Sequence, residues 1–182
     1  MKKVFIFLAE GFEETEAVAT TDVLLRGGLD VTSVSITGNL LVTGAHGIAV
    51  NADTLFEDAY ISSGDMLVLP GGMPGASNLN AHDGVKNALK QYAASGKKIA
   101  AICAAPLVLG GLDLLQGKKA TAYPGFESTL KGATYINSPV VKDGNIITGR
   151  GPGFVFDFGL AIVEELAGKA KAYEVAEGLL LK

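Results

Sequence analysis

The sequence predicts one α/β domain, a mostly parallel sheet covered by helices on both faces. Three observations predict it. Short apolar runs of strand length recur at "VFIFL", "MLVLP" and "KIAAIC", segments with helical periodicity stand between them, and glycine- or proline-rich turns punctuate the joins. With 182 residues and 48% hydrophobic content, residues 1–182 are long enough for a single domain with a substantial core.

The elements follow in order. "KVFIFL", Lys3 to Leu8, is an apolar β-rich run that opens the sheet. From Glu13 to Arg26 the period becomes helical, with Ala17, Val18, Thr21, Leu24 and Leu25 on one stripe, and Gly27-Gly28 stops the helix. "DVTSVSIT" alternates as a strand, and "NLLVTGAHGIAV" reads as a hairpin turning at Gly44 to Gly47. "DMLVLPGG" is a buried strand ending in a glycine turn, followed by an amphipathic helix from Asn78 to Ala94 that Ser95-Gly96 closes. "KKIAAIC" is the next strand, and a helix begins near Pro106, where proline suits a first turn. "KKATAYP" is expected as a strand, and "PVVKDGNIITG" as a hairpin about its Asp-Gly turn. "GPGFVFDFGLAIVEELAG" and "AKAYEVAEGLLLK" supply two closing helices.

Charge and composition exclude several function classes. The net charge of -4 is spread along the chain, and no run of Lys and Arg follows a phosphate backbone, so nucleic acid is not an expected partner. No apolar run approaches the roughly 20 residues that span a bilayer. The N-terminus lacks the longer apolar segment and cleavage site of a signal peptide, so the expected location is the cytoplasm. A single cysteine excludes an intramolecular disulfide and a thiolate-rich zinc site, and His46 and His82 are the only histidines. No metal and no cofactor are expected.

In open parallel sheets, ligands bind beyond the carboxyl ends of the strands. Three such ends stand out: "LAEGFEETE", "LPGGMPGA" and "AICAAP". Cys103 occupies the third, where Ala101 and Ala105 are the small neighbours that a strand-to-helix nucleophile elbow needs. A following helix N-terminus lowers a thiol pKa, although free cysteines also serve as small buried hydrophobes. Neither histidine lies near Cys103 in sequence, which leaves carboxylates as its partners. In "EGFEETEA" most acidic residues suit a helix N-terminus, but Glu16 shares its side of the helix with Thr20, Val23 and Gly27 and can face another part of the protein. An ionised Glu16 beside Cys103 would raise the thiol pKa, whereas a protonated one would donate a hydrogen bond to a thiolate. The expected arrangement is therefore a raised Glu16 pKa with a depressed Cys103 pKa. Pro70-Gly71-Gly72 would bring a bare backbone N–H to the sulfur or to a substrate oxygen.

Together "LAEGFEETEAV", "LVLPGGMPGASNL", "AAICAAP" and "GRGPGFVFDFGLAIVE" span essentially the whole chain and resemble the ThiJ/PfpI superfamily, most closely its branch of parkinsonism-associated deglycases and their bacterial relatives. The resemblance implies a flavodoxin-like sandwich in which Cys103 is the nucleophile, Glu16 its protonated partner, and Gly72 and Ala104 the backbone donors of an oxyanion pocket. It also implies a homodimer, with Arg26 and His46 in the regions near its interface. Arg150 in "GRGPG" matches a family position near the site without an evident role. Three positions depart from relatives. Tyr123 stands where glyoxalase-active members often carry histidine, and with a reference pKa of about 10 it can donate a hydrogen bond but is a poor base. Ala104 replaces the histidine that follows the cysteine in the superfamily's proteases, and Met73 replaces an asparagine found in some relatives. Tyr123 and Met73 are the candidate substrate contacts.

Two functions are compatible with this set. The first is a cofactor-independent enzyme of glyoxalase or deglycase type, in which Cys103 adds to methylglyoxal, glyoxal or their early adducts and a hydroxy acid is released. The second is an oxidative-stress sensor or redox-regulated chaperone, in which Cys103 is oxidised to a sulfinate held by Glu16. Tyr123 and Met73 weigh toward the second.

Overall fold

The computed structural model describes residues 1–181. Its main sheet has seven strands: β1 (Lys3–Leu8), β2 (Asp30–Ser35), β5 (Thr54–Leu55), β6 (Met66–Leu69), β7 (Lys98–Ile102), β10 (Val140–Asp143) and β11 (Ile146–Gly149). The order is β10-β11-β7-β6-β1-β2-β5, and every pairing is parallel except β10 with β11. Ranked along the chain, β2-β1-β6-β7-β11 is the 2-1-3-4-5 arrangement of flavodoxin-like folds. The order reverses between β1 and β6, so a crevice opens beyond their carboxyl ends.

The alternating pleat explains the two helical layers. Val4, Ile6 and Leu8 of β1 point into one core with Met66, Val68, Ala100 and Ile102. Against them pack Ala17, Val23 and Leu24 of α1 (Glu14–Arg26) and Phe158, Ile162 and Val163 of α5 (Val155–Ala167). Phe5 and Phe7 point into the opposite core with Leu67, Leu69, Ile99 and Ala101. There they meet Leu79 of α2 (Gly75–Ala81), Val85 and Leu89 of α3 (Asp83–Ala94), and Val108 of α4 (Pro106–Gly111). Because both faces are buried, these strands read as continuous apolar runs. α6 (Lys169–Gly178) closes the first layer against α5. The hairpin β3 (Leu41–Thr43) and β4 (Ala49–Asn51) stands apart as its own two-stranded sheet.

The structure differs from the sequence expectation at four places. The helix expected over Asn78 to Ala94 is two helices, because His82 is extended at ψ 110° and its Nδ1 accepts the Val85 N–H at 3.1 Å, capping α3. In "KKATAYP" only β8 (Lys119–Ala120) is strand, paired with β9 (Thr134–Tyr135) outside the main sheet. The Thr121 N–H bonds the Thr148 hydroxyl instead of continuing the ladder, and Tyr123 turns back toward Cys103. On α1 the buried face joins Ala17 and Leu24 of the expected stripe to Glu16, Thr20 and Val23, while Val18 and Leu25 face outward, so the helix is rotated from the expected stripe toward Glu16. The closing helix ends at Gly178, and the last residue of the expected span lies outside the described residues. Among the described residues no helix is long and apolar enough to cross a membrane.

Candidate active site

β1, β6 and β7 are parallel and end at one edge, so residues 9–13, 70–74 and 103–105 converge there. Cys103 ends β7 with φ +64°, a left-handed conformation that costs an L-residue about 1–2 kcal/mol. Two backbone hydrogen bonds hold it: its N–H donates to Gly149 O at 2.9 Å, and its carbonyl accepts the Tyr123 N–H at 2.9 Å. The side chain is only 8% exposed. This is the geometry of a nucleophile elbow, with strain concentrated on the one residue whose side chain must leave the strand direction.

Glu16 reaches the same point from the first turn of α1. Glu13 caps that turn, its carboxylate accepting the Glu16 N–H at 2.6 Å. The Glu16 side chain is fully buried, and its Oε2 accepts the Gly71 N–H at 2.8 Å. Its Oε1 is buried without a hydrogen-bond partner among the described residues. Gly71 is pressed between the two: a Cβ there would stand 2.6 Å from the Cys103 Cβ and 2.8 Å from Glu16 Oε2. Gly72 has φ +88°, and a Cβ on it would meet Glu13 N at 2.4 Å. The Pro-Gly-Gly turn therefore needs both glycines, one for close approach and one for its backbone angle as well.

Burial pushes the Glu16 carboxyl up to about 7, opposed by the Gly71 N–H and by Cys103. Burial and the neighbouring Glu16 push the Cys103 thiol up to about 12, opposed by the backbone N–H groups of Gly72 and Ala104. The raised carboxyl matches the sequence expectation. The depressed thiol does not, because the carboxyl and the thiol share one pocket and two negative charges there are unfavourable. The pair therefore gains its one negative charge, on Glu16, as pH rises through about 7, while the thiol stays protonated.

The remaining sequence candidates fall into two groups. Tyr123 and Met73 are partly exposed near this edge, and the Ser77 hydroxyl lies 3.8 Å from the Met73 sulfur. Tyr123 and Arg150 line a cleft of about 230 Å³ with Pro152 and Phe154. Arg26 and His46 form their contacts elsewhere on α1 and the hairpin. Arg26 Nε pairs with Asp22 at 2.7 Å, and His46 Nδ1 lies 2.7 Å from the buried Glu14 carboxylate, which also accepts the His46 and Ile48 N–H groups. Glu13, Glu14 and His46 each bring one potential ligand atom within 4.8 Å of the others, but these contacts already use Glu13 and Glu14 to cap α1 and pin the hairpin turn. The sequence pattern points a backbone N–H of Pro70-Gly71-Gly72 at the sulfur or a substrate oxygen; it does not show that the Gly71 N–H fixes Glu16. The signal available was the doubled glycine itself, since a turn alone needs only one.

Comparison with known proteins follows the same outline. The sequence model described as the DJ-1/PfpI family matches residues 2–165. Protein DJ-1 homolog A of Arabidopsis thaliana is 46% identical over 184 residues, covering 100% of this chain and 47% of that protein. The chain thus spans about half the length of that relative. The crystal structure of Drosophila melanogaster DJ-1beta matches with a TM-score of 0.94 at 41% identity, covering 98% of this chain and 97% of that one. A Caenorhabditis elegans protein named glutathione-independent glyoxalase DJR-1.2 is 34% identical over 173 residues, covering 94% of this chain and 92% of that protein.

Proposed function

Because the chain belongs to the DJ-1/PfpI family, we propose that it is a cysteine-dependent enzyme of glyoxalase or deglycase type, acting on methylglyoxal, glyoxal or their early adducts. The relative named as a glutathione-independent glyoxalase supports the reaction class. The observation that carries the reading is the placement of a strained cysteine beside a fully buried carboxyl group.

The reaction needs no external oxidant. Glu16 takes the thiol proton as the Cys103 sulfur bonds the aldehyde carbon, and the carbonyl electron pair moves onto oxygen. The N–H groups of Gly72 and Ala104 serve that developing oxyanion. Glu16 then returns its proton to the oxyanion, giving a neutral hemithioacetal. The same carboxylate next removes the hydrogen on the former aldehyde carbon as a proton and delivers a proton to the adjacent ketone carbon, while the hemithioacetal hydroxyl proton passes to the former ketone oxygen. One carbon is thereby oxidised to a thioester and its neighbour reduced to an alcohol. Water cleaves the thioester, releasing lactate from methylglyoxal and restoring the thiol. Tyr123 supplies a hydrogen-bond donor at the rim in place of histidine. The test is lactate formation from methylglyoxal, which should exceed that of Cys103→Ser at least a hundredfold; equal rates would refute the reading.

The unpaired Glu16 Oε1 favours a second reading, as an oxidation sensor. Two equivalents of peroxide convert the Cys103 thiol to a sulfinate, with release of two waters, and protonated Glu16 donates a hydrogen bond to it. Intact mass after mild peroxide treatment should then show two added oxygens on Cys103, and no such gain would refute it.

We also propose a homodimer built on α1 and the β3–β4 hairpin. Val18, Leu25, Leu41 and Ile48 are each more than half exposed there, and Val18 and Leu25 line a groove of about 530 Å³ together with Val50 and Asn51 of β4. Apolar side chains concentrated on one face in this way favour association.

A further inference from the structure

Beside the Cys103 backbone lies a cleft of which the reaction above uses only Tyr123. Tyr123, Pro124, Gly151, Pro152 and Phe154 wall it, Arg150 lines it, and its volume is about 230 Å³. Two backbone bonds tie it to the nucleophile. Tyr123 N–H donates to Cys103 O at 2.9 Å, and Cys103 N–H donates to the carbonyl of Gly149, the residue before Arg150, at 2.9 Å. The cleft walls and Cys103 are therefore held in fixed register through the backbone.

The charge in the cleft is uncompensated. Among the described residues the Arg150 guanidinium makes no hydrogen bond or ion pair, although the residue is half-buried. The acidic groups nearest in sequence are otherwise placed. Asp143 accepts the Lys119 N–H at 2.8 Å, and Asp157 lines a separate groove with Ser138 and Lys169. Structural arginines at partly buried positions are normally paired, and a planar guanidinium beside aromatic walls suits a carboxylate with a short apolar stem. Methylglyoxal and glyoxal carry no charge and leave this cation unused.

We propose that the Arg150 cleft is a subsite for a carboxylate tail, so that the preferred substrates are 2-oxoaldehydes bearing a carboxylate on a short aliphatic arm. The proposal rests on the enzyme reading above and narrows its substrate class. For 4,5-dioxopentanoate the balance is that of methylglyoxal. The aldehyde carbon is oxidised through the thioester to a carboxylate, the ketone is reduced to an alcohol, and one water is consumed to give 2-hydroxyglutarate.

The test compares kcat/KM for 4,5-dioxopentanoate and methylglyoxal in wild type, Arg150→Lys and Arg150→Ala. The wild type should favour the charged substrate about tenfold, as expected for one charge-assisted contact. Arg150→Ala should abolish that ratio and Arg150→Lys restore part of it. A wild-type ratio near one, or a ratio that Arg150→Ala leaves unchanged, overturns the proposal. Calorimetry on Cys103→Ser separates this from failure of the reaction itself. 2-Hydroxyglutarate should bind about tenfold more tightly than lactate, and the added Arg150→Ala change should remove the difference. Equal binding of the two acids, or a difference that survives Arg150→Ala, overturns the subsite whether or not the protein turns over any aldehyde.

Discussion

Glu16 Oε2 accepts the Gly71 N–H at 2.8 Å, while Oε1 of the same carboxyl group is buried with no hydrogen-bond partner among the described residues. One oxygen is anchored by the backbone, and the same carboxyl group interacts with Cys103. A purely structural carboxyl group would have both oxygens satisfied or would face water, because an unpaired buried polar atom costs about 1–3 kcal/mol.

Burial of this carboxyl group gives a pH dependence. Folded Glu16 keeps its proton up to about pH 7, whereas in the unfolded chain it ionises near its ordinary 4.5. The native state thus binds more protons between these values, and stability falls as pH rises across that window by roughly 3 kcal/mol. Glu16→Gln should lack this loss. Urea unfolding should show the variant to be the more stable protein at about pH 8 and equal to wild type below the unfolded carboxyl pKa.

The thiol should respond to the same substitution. Glu16 raises the Cys103 pKa, so removing its charge must lower it from about 12. Ultraviolet thiolate absorbance against pH should show the high transition of wild type moved down in Glu16→Gln. An unmoved transition would mean that burial alone sets it.

Gly72→Ala should be costly. Its φ of +88° and the 2.4 Å approach of a Cβ to Glu13 N leave no relaxed position for a methyl group, since the neighbour is backbone. A loss of more than about 2 kcal/mol in chemical denaturation is expected, with the cap on α1 displaced.

Much of this was legible in the sequence, for identifiable reasons. The run Val4 to Leu8 announced a strand buried on both faces, and its alternate residues do feed two cores. Ala101 and Ala105 around Cys103 announced a tight turn, and Cys103 adopts φ +64°. The uncharged side of α1 marked Glu16 as inward-facing, and it is fully buried. The break at His82 was not legible, because it depends on a side-chain cap and on the ring packing edge-on against Phe56 at 4.8 Å. Nor was the outward turn of Val18 and Leu25. Apolar periodicity shows that a helical stripe is covered, not whether the sheet or another molecule covers it.

Those two side chains test the proposed dimer. Val18→Asp with Leu25→Asp should yield a monomer by light scattering while leaving the far-ultraviolet dichroism intact, since both residues are about half exposed in the single chain. A wild-type protein that is already monomeric at micromolar concentration would contradict the dimer.

The central claim is that Cys103 and Glu16 act as one unit, and a double-mutant cycle on lactate formation from methylglyoxal tests it most directly. Groups that act as a unit show non-additive losses. Cys103→Ser, Glu16→Gln and the double variant should therefore all fall to a similar residual rate, at least about a hundredfold below wild type. Losses that multiply in the double variant, or a Cys103→Ser protein as active as wild type, would contradict the account.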